Sequence, residues 1–369
     1  MISNETLTID FLRQQQERLG IQDITVLERT VHAFCLLERL ALSKLNFLFK
    51  GGTALMLLLD KPMRVSTDID IVCETPVKAF EAELKKWVRF PPFTRWKRDF
   101  RSADCEPPCK RHYLVFFNSL FIDKHESYVI LDIVAEDCGI SSSHIMKKKI
   151  DNSFLKLEGT LSQVSVPLLD ALLGDKLTAF APNTTGVRFR DPRRLDDSSH
   201  QVIKQLFDIA QLFDNMTDME VVRSSYLSIV EKEGKYRNIT GLPERALLDT
   251  LQISFEVCTF EYRRQKLPND EFIRKGIRSM MSDLINQTRF SFPQARLAAA
   301  KTAYLVTLIL TSKPKLTYKQ TPELLADLKK HEFPQQCGIL NRLKKVSPEA
   351  FWYWREIYQA LPQLSKILK

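Results

Sequence analysis

The chain has 369 residues, of which 44% are hydrophobic and 27% charged, an ordinary composition for a globular protein. At about 150 residues per domain this length predicts two domains, each able to bury a core without disulfides or metals. The chain has 11 glycines and lacks an apolar run near the ~20 residues that span a bilayer, which excludes collagen-like and membrane-spanning architectures. An N-terminus without a signal-peptide pattern and seven cysteines, an odd number, predict a cytoplasmic protein with reduced thiols and no membrane partner.

The predicted elements are helical at first and mixed afterwards. Apolar spacing near 3.6 predicts helices over 7–19 and 23–45. A short apolar run over 46–50, stopped by two glycines, predicts a strand that enters a turn and a buried helix. The remaining elements up to residue 215 are helices over 53–59, 77–87, 168–181 and 200–213, strands over 66–73, 112–117 and 128–134, a loop with a strand edge over 90–110, and a long mobile loop over 183–199.

Strand signals fade after about residue 215, so we predict a mixed domain over 1–215 and a basic helical domain over 216–369. Residues 1–220 carry 29 Lys and Arg against 31 Asp and Glu, whereas residues 221–369 carry 25 against 14. The C-terminal part therefore holds the whole positive excess. Lys and Arg neutralise phosphates and release counterions, so this charge favours a polyanionic partner over the alternative of a merely soluble basic surface.

The most informative residues lie in two neighbouring segments, Lys50-Gly-Gly-Thr-Ala-Leu55 and Arg64-Val-Ser-Thr-Asp-Ile-Asp70. Each is common alone, but the two in this order and this close together are specific. A turn of Gly51 and Gly52 lets the backbone approach a phosphate, and the amides that start the next helix point at it. The Thr53 hydroxyl adds a donor at the same place. The first segment therefore predicts a phosphate-binding turn.

Two carboxylates in the second segment predict a metal site. Residues i and i+2 of a strand share one face, so Asp68 and Asp70 project together. Their mutual repulsion favours a cation between them, and Mg²⁺ prefers oxygen ligands. Asp132, inside the apolar run 129–134, could complete the site from a neighbouring strand, or could lie at an exposed strand edge instead. Two metals held in this way would bridge the phosphates of a nucleotide and activate an attacking oxygen.

These motifs resemble the AbiEii-type nucleotidyltransferases, the toxins of type IV-like toxin–antitoxin and abortive-infection systems, including the MenT toxins. The resemblance covers roughly residues 30–215 and places the chain in the DNA polymerase β-like nucleotidyltransferase superfamily. It implies an α+β fold, with a mixed sheet flanked by helices and then an all-helical C-terminal domain.

The resemblance also implies roles for individual residues. Gly51, Gly52 and Thr53 would hold phosphates, and Asp68 and Asp70 would hold metal. A third motif would be Lys176, a cation for the nucleotide phosphates, and a fourth Asp208, with Asp214 as the alternative register. Many relatives carry an Arg-Asp pair shortly before the fourth motif, where this chain has Lys204 and Gln205. Arg64 and Ser66 would position the second motif or touch the nucleotide, or would stabilise a turn.

The function implied is a metal-dependent nucleotidyltransferase that takes an NTP and two Mg²⁺, transfers a nucleotide to RNA and releases pyrophosphate. By resemblance the acceptor is the 3′ end of tRNA, the result is blocked translation, and a cognate antitoxin exists. Two alternatives stay open at this point. One is a small-molecule nucleotidyltransferase of the antibiotic-modifying type, and the other is a non-catalytic nucleotide-binding module.

Three weaker motifs each have a purely structural alternative to a functional role. Cys105 and Cys109 with His112 have partial zinc spacing, but a rigid Pro turn is the stronger interpretation. The aromatic run 351–354 could stack on bases, but core packing is favoured. The basic segments 262–266 and 344–345 are candidate phosphate contacts or solvated helix faces.

Overall fold

The computed structural model describes residues 1–100, 110–123, 125–136, 139–190, 197–237, 241–285 and 288–368. Cys105 and Cys109, the cysteines of the zinc motif, lie outside these residues, as does part of the predicted loop 183–199. The chain has the predicted α+β fold, built on one mixed sheet. Within the described residues its strands are β1 (Leu48–Lys50), β2 (Ile69–Val72), β3 (Phe93–Asp99), β4 (Lys110–Asn118), β5 (Glu126–Val134), β6 (Ile145–Lys149) and β7 (Gln163–Pro167).

Helices flank the sheet in the sequence and make up nearly all regular structure after residue 168. The helices are α1 (Ile9–Leu19), α2 (Ile24–Leu42), α3 (Gly51–Leu58), α4 (Val77–Trp87), α5 (Leu169–Ala179), α6 (Ser199–Asn215), α7 (Met219–Arg237), α8 (Leu242–Thr259), α9 (Asp270–Ser279), α10 (Phe292–Thr311), α11 (Pro322–Lys330), α12 (Leu343–Val346), α13 (Pro348–Ala360) and α14 (Leu364–Ile367). None of the described helices is both long enough and apolar enough to cross a bilayer.

The sheet order is β3-β4-β5-β2-β1-β7-β6. The pairs β2–β5 and β1–β7 are parallel, and the other neighbours are antiparallel. Alternate strand residues such as Leu131, Ile71 and Phe49 are buried in one core together with residues of α2. Because successive strand residues point to opposite faces, the other face of the sheet receives the polar residues of these strands.

The chain forms two compact units. The first comprises Met1–Leu172 together with Ser282–Thr288, and the second comprises Leu173–Met281 and Arg289–Lys369. The division falls inside α5, whereas the sequence places a domain boundary at residue 215. The first unit contains the whole sheet. A catalytic domain that ends at residue 215 stays a prediction.

A short segment far along the chain completes the first unit. Val65 N–H donates to Asp283 O (2.8 Å), and Ile285 N–H donates to Met63 O (3.1 Å). The side chain of Ile285 is 2% exposed and lies in the core of this unit. The segment 282–288 therefore fixes the loop between α3 and β2, which carries the second motif.

The second unit is helical. Its longest helix, α10, packs against α6, α8 and α13. The aromatic residues Phe351 and Trp354 of α13 are fully buried, and Trp354 Nε1 donates to Cys258 Sγ at 3.2 Å. The core-packing interpretation of the run 351–354 is thus confirmed.

The buried histidine of α2 should make the free energy of unfolding depend on pH. His32 is 3% exposed and stacks on Phe117 (ring centroids 3.5 Å apart), and its Nδ1 donates to Glu28 O at 2.8 Å. Burial lowers the pKa of His32 from its ordinary value of 6.5 to about 4. Between these values the unfolded chain binds a proton that the folded chain does not. The free energy of unfolding should therefore fall with falling pH, by up to about 1.4 kcal/mol per unit and about 3 kcal/mol in all.

Urea unfolding of wild-type protein and His32→Leu between pH 6.5 and 4 tests this expectation. The variant lacks the titrating group, so its stability should decline less steeply over the same range. Equal slopes for the two proteins would show that His32 is not the source of the pH dependence.

Candidate active site

The two glycines of the first motif start α3 directly after β1. Gly51 has φ +81°, a left-handed conformation that other residues rarely adopt. A Cβ added to Gly51 would lie 2.6 Å from Asp70 Cγ. A Cβ on Gly52 would lie 2.7 Å from Ser66 Oγ and 2.8 Å from Arg64 Nη2. The turn is therefore glycine-rich because residues of the second motif pack directly on its backbone.

The carboxylate of Asp70 lies at the start of a helix. In the antiparallel pair β1–β2, Lys50 is opposite Asp70, so the side chain of Asp70 falls beside the first residues of α3. The first turn of a helix has unpaired N–H groups and the positive end of the helix dipole, and both favour a negative charge. The fold thus stabilises a carboxylate at this position without burying it fully.

Asp68 is held by threonines just before β2. The Thr53 hydroxyl donates to Asp68 O at 2.5 Å, and the Thr67 hydroxyl donates to Asp68 Oδ1 at 3.2 Å. Thr53 is fully buried, so in this structure its hydroxyl positions the second motif. The phosphate contact expected of Thr53 stays a prediction.

Arg64 and Ser66 lie on the same turn and are 2% and 5% exposed. Arg64 Nη1 donates to Val65 O at 2.9 Å, and Ser66 N–H donates to Met56 Sδ at 3.1 Å. Their side chains reach Gly52, so they place a guanidinium and a hydroxyl at the start of α3. Both fit the positioning role that the sequence suggests, and a direct contact of either with a nucleotide stays a prediction.

Strand register brings a third carboxylate into line with Asp70. Asp70 is directly opposite Asp132 in the parallel pair β2–β5, and Asp132 is directly opposite His112 in the antiparallel pair β4–β5. Residues directly opposite each other share a sheet face. Lys50, Asp70, Asp132 and His112 therefore form one row across four strands. Asp132 is about one-third exposed, at 35% of its side-chain surface, and lies in the interior of the sheet rather than at its edge.

His112 contacts Asp132, a pairing that the sequence does not indicate. Its Nδ1 lies 2.7 Å from Asp132 Oδ1, and its side chain is 15% exposed. The sequence suggests His112 only as one member of an incomplete zinc motif, whereas in the structure its side chain contacts the carboxylate of Asp132. The signal that could have found the pair is the matching alternation of 112–117 and 128–134, which fixes the shared face but not the register.

The third and fourth motifs meet in the second unit. Lys176 Nζ lies 3.0 Å from Asp208 Oδ2 and donates to Gln205 Oε1 at 3.2 Å. The side chain of Lys176 is 9% exposed, and that of Asp208 is completely buried. Asp214, the alternative register, binds Lys301 Nζ at 2.7 and 2.8 Å. Of the two carboxylates, Asp208 is the one that pairs with Lys176.

A metal ion needs several ligand atoms close together, and Mg²⁺ prefers oxygen. Among the described residues, no three or more His, Cys, Asp or Glu side chains are grouped closely enough to hold a metal. Asp68, just before β2, and Asp70, within β2, nevertheless offer hard carboxylate oxygens two residues apart. Mg²⁺ commonly takes one or two protein carboxylates and fills its other positions with water and substrate phosphates. The residues fit an ion that binds together with a nucleotide, and a place for Asp132 in that ligand shell stays a prediction.

The chain matches a protein-family model over most of its length. The family model described as "Nucleotidyl transferase AbiEii toxin, Type IV TA system" matches residues 35–297. No curated protein matches the chain.

Two solved structures are distantly similar. An H. pylori protein assigned as a nucleotidyltransferase is 20% identical, over 60% of this chain and 88% of that chain, with a TM-score of 0.30. An antigenic nucleotidyltransferase-like protein from Paracoccidioides brasiliensis is 11% identical, over 57% of this chain and 91% of that chain, with a TM-score of 0.35.

A pair of glycine substitutions separates backbone strain from displacement of Asp70. Gly159 also has a positive φ (+59°), but a Cβ added there meets nothing within 4 Å. Gly159→Ala should lower the free energy of unfolding by about 1 kcal/mol and leave nucleotide transfer intact. Gly51→Ala bears the same strain and also pushes the Asp70 carboxylate away, so it should abolish transfer. Equal activity in the two variants, measured with matched thermal melts, would show that the packing of Asp70 on the turn is unimportant.

The buried ion pair gives a second prediction. Asp208→Ala leaves the Lys176 ammonium buried without its carboxylate and should lower the free energy of unfolding by about 3–5 kcal/mol. The double variant Lys176→Met, Asp208→Leu removes both charges and should recover most of that loss. If Lys176 serves the reaction, the double variant stays inactive although it is folded. Urea unfolding and nucleotide transfer measured on the same preparations distinguish the two roles.

Proposed function

Since the chain belongs to the AbiEii family of nucleotidyltransferase toxins, we propose that it transfers a nucleotide from an NTP to a hydroxyl of RNA and releases pyrophosphate. The observation that carries this proposal is the packing of Asp70, Arg64 and Ser66 on the Gly51–Gly52 turn, together with the strand register that places Asp70 directly opposite Asp132. A family of type IV toxin–antitoxin systems also implies a cognate antitoxin.

The nucleotide phosphates are assigned to the start of α3. The N–H groups of the first turn and the Arg64 guanidinium place positive charge there, next to the two carboxylates of the second motif. Lys176 is the further cation for the triphosphate. Asp208 and Gln205 engage two of its three N–H donors, which leaves one for a phosphate oxygen among the described contacts.

Asp68 and Asp70 would hold Mg²⁺, two ions in the full proposal. When bound, the metal would neutralise the phosphates and stabilise the charge that develops on the reacting oxygens. The chain's own contribution is orientation. Thr53 and Thr67 fix Asp68, and the Gly51 turn fixes Asp70, so both carboxylates are in place before substrate arrives.

We assign the acceptor hydroxyl to the neighbourhood of Asp132. The oxygen of the acceptor hydroxyl attacks the α-phosphorus of the NTP and forms a new oxygen–phosphorus bond. The bond between the α-phosphorus and the oxygen that leaves with pyrophosphate breaks. The hydroxyl proton passes to the Asp132 carboxylate. His112 Nδ1 contacts Asp132 Oδ1, so we assign the proton to the other carboxylate oxygen, Oδ2.

RNA, and in particular the 3′ end of tRNA, is proposed as the acceptor because the charge excess lies in residues 221–369. As phosphate contacts in that part of the chain, we propose exposed basic residues rather than basic residues that already pair with a carboxylate. Arg263 pairs with Asp270, and Lys344 pairs with Glu332 at 2.6 Å. Arg264, Lys266 and Lys345 are exposed and are the better candidates. Modification of this end of tRNA would block translation and arrest growth in the cytoplasm.

The reaction is tested by incubating the purified protein with total RNA, Mg²⁺ and each labelled NTP in turn. We expect label on a tRNA-sized band with one NTP. Asp68→Asn and Asp70→Asn should each lower incorporation on the order of 100-fold or more, because each removes a metal-binding charge. Asp60→Asn, at an exposed position after α3, is the matched control and should retain full activity.

Undiminished labelling in either variant would contradict the metal assignment. Absence of label on RNA, together with label on a small hydroxyl compound such as an aminoglycoside, would assign the enzyme to the small-molecule class. The salt dependence of acceptor binding separates the two classes as well, since binding of RNA should weaken steeply with salt.

A further inference from the structure

The sheet face that carries Asp132 continues over the outer strands β4 and β3. Along β5, Val129 and Leu131 are fully buried in the core, so Tyr128 and Ile130 point to the opposite face with Asp132. The register of the β4–β5 pair places Leu114 opposite Ile130 and Phe116 opposite Tyr128. The register of the β3–β4 pair adds Lys97 opposite Leu114 and Arg95 opposite Phe116. We call these six residues, Arg95, Lys97, Leu114, Phe116, Tyr128 and Ile130, the outer sheet face.

The outer sheet face has apolar residues in its middle and cations at its edge. Tyr128 is 41% exposed, and its ring lies 5.7 Å from that of Phe116 at a tilt of 59°. Leu114 and Ile130 are half-buried, whereas Arg95 and Lys97 are exposed on the edge strand. The exposed face of an antiparallel sheet is usually polar. An aromatic and aliphatic strip beside cations is instead typical of a surface on which bases stack.

The charges of this face suit a phosphate at one place in particular. Arg95 stacks on the Phe116 ring at 3.5 Å and donates two hydrogen bonds to Glu126 Oε2, at 2.8 and 2.7 Å. Its charge is therefore compensated. Lys97 makes no ion pair with any residue that the structure describes. Lys97 is thus the cation best placed to meet a phosphate beside the Tyr128 ring.

The spacing between Tyr128 and Asp132 favours single-stranded RNA as the ligand of this face. Tyr128 and Asp132 are four residues apart on one strand, about 13 Å at strand spacing, which a few nucleotides span. A small acceptor that reacts at Asp132 would not reach Tyr128. A base-paired RNA helix turns its bases inward, whereas an unpaired end can lay a base on an aromatic ring.

We propose that the outer sheet face binds the unpaired end of the acceptor RNA, with a base on Tyr128 and a phosphate on Lys97, so that the terminal hydroxyl reaches Asp132. This inference rests on the proposed function, because it takes RNA to be the acceptor. It adds the place where the acceptor lies and the two side chains that select a single strand.

Binding of a fluorescent single-stranded RNA oligonucleotide, measured by anisotropy without NTP, tests the proposal independently of turnover. Tyr128→Leu keeps the apolar contact with Phe116 but removes the stacking surface, and it should weaken binding about tenfold. Tyr128→Phe keeps the ring and should bind like wild type. Lys97→Gln should weaken binding and lower the slope of log affinity against log salt concentration by about one.

Matched controls lie near the opposite face of the sheet. Phe90 is 60% exposed, and the neighbouring Pro91 O accepts a hydrogen bond from Arg39 of α2. Lys85 is exposed on α4, whose buried residues belong to the core. Phe90→Leu and Lys85→Gln should leave RNA affinity unchanged, and thermal melts should show every variant folded.

Acceptor kinetics complete the test. With RNA as acceptor, Tyr128→Leu should raise KM for RNA and change kcat little, and the KM for NTP should stay that of wild type. Equal RNA affinity and equal KM in wild type, Tyr128→Leu and Lys97→Gln would overturn the proposal and leave this face for a protein partner. Tyr128-dependent RNA binding without any transfer of label would uphold the surface and refute the proposed reaction.

Discussion

The carboxylate of Asp70 occupies the space that a side chain at residue 51 would fill, and much of the site follows from this contact. It requires glycine at the turn, it places negative charge at the start of α3, and it joins the first motif to the second. The glycines are therefore needed by the protein itself, before any phosphate is bound. Arg64 and Ser66 repeat the arrangement at Gly52, so two consecutive backbone positions are each covered by side chains of the next motif.

The pair of Lys176 and Asp208 offsets the cost of burying a charged side chain. An ammonium that is 9% exposed is expensive to keep charged unless a carboxylate accompanies it. Asp208 is completely buried, so we propose that its contribution is to position the Lys176 ammonium. Gln205 supports the same ammonium without a second negative charge. Lys176, Asp208 and Gln205 together are neutral, whereas a lysine between two carboxylates would belong to a group with a net negative charge, which repels a phosphate.

Local patterns predicted the elements that have strong local causes. The helix expected over 77–87 has those bounds, because its apolar spacing is regular and Pro76 stands at its start. The strand expected over 66–73 is shorter, Ile69–Val72, because residues before it are held in a loop by Thr53 and by the segment 282–288. Strands β6 and β7 were not predicted. Three lysines of β6 hide its alternation, and its partner lies beyond a loop.

The site could be predicted as a set of residues but not as an arrangement. Asp68 and Asp70 were recognisable from their spacing, and Asp132 from its place in an apolar strand. The row that aligns Asp70 with Asp132 and His112 depends on pairing between segments that are distant in sequence. A shift of one residue in either pairing would turn these side chains to the opposite face. Backbone hydrogen bonds of the sheet therefore hold Asp70 and Asp132, whereas Asp68 lies outside the strand and depends on side chains and on the segment 282–288. The family match continues to residue 297 and so includes this segment, which lies well beyond the boundary that the sequence suggested at residue 215.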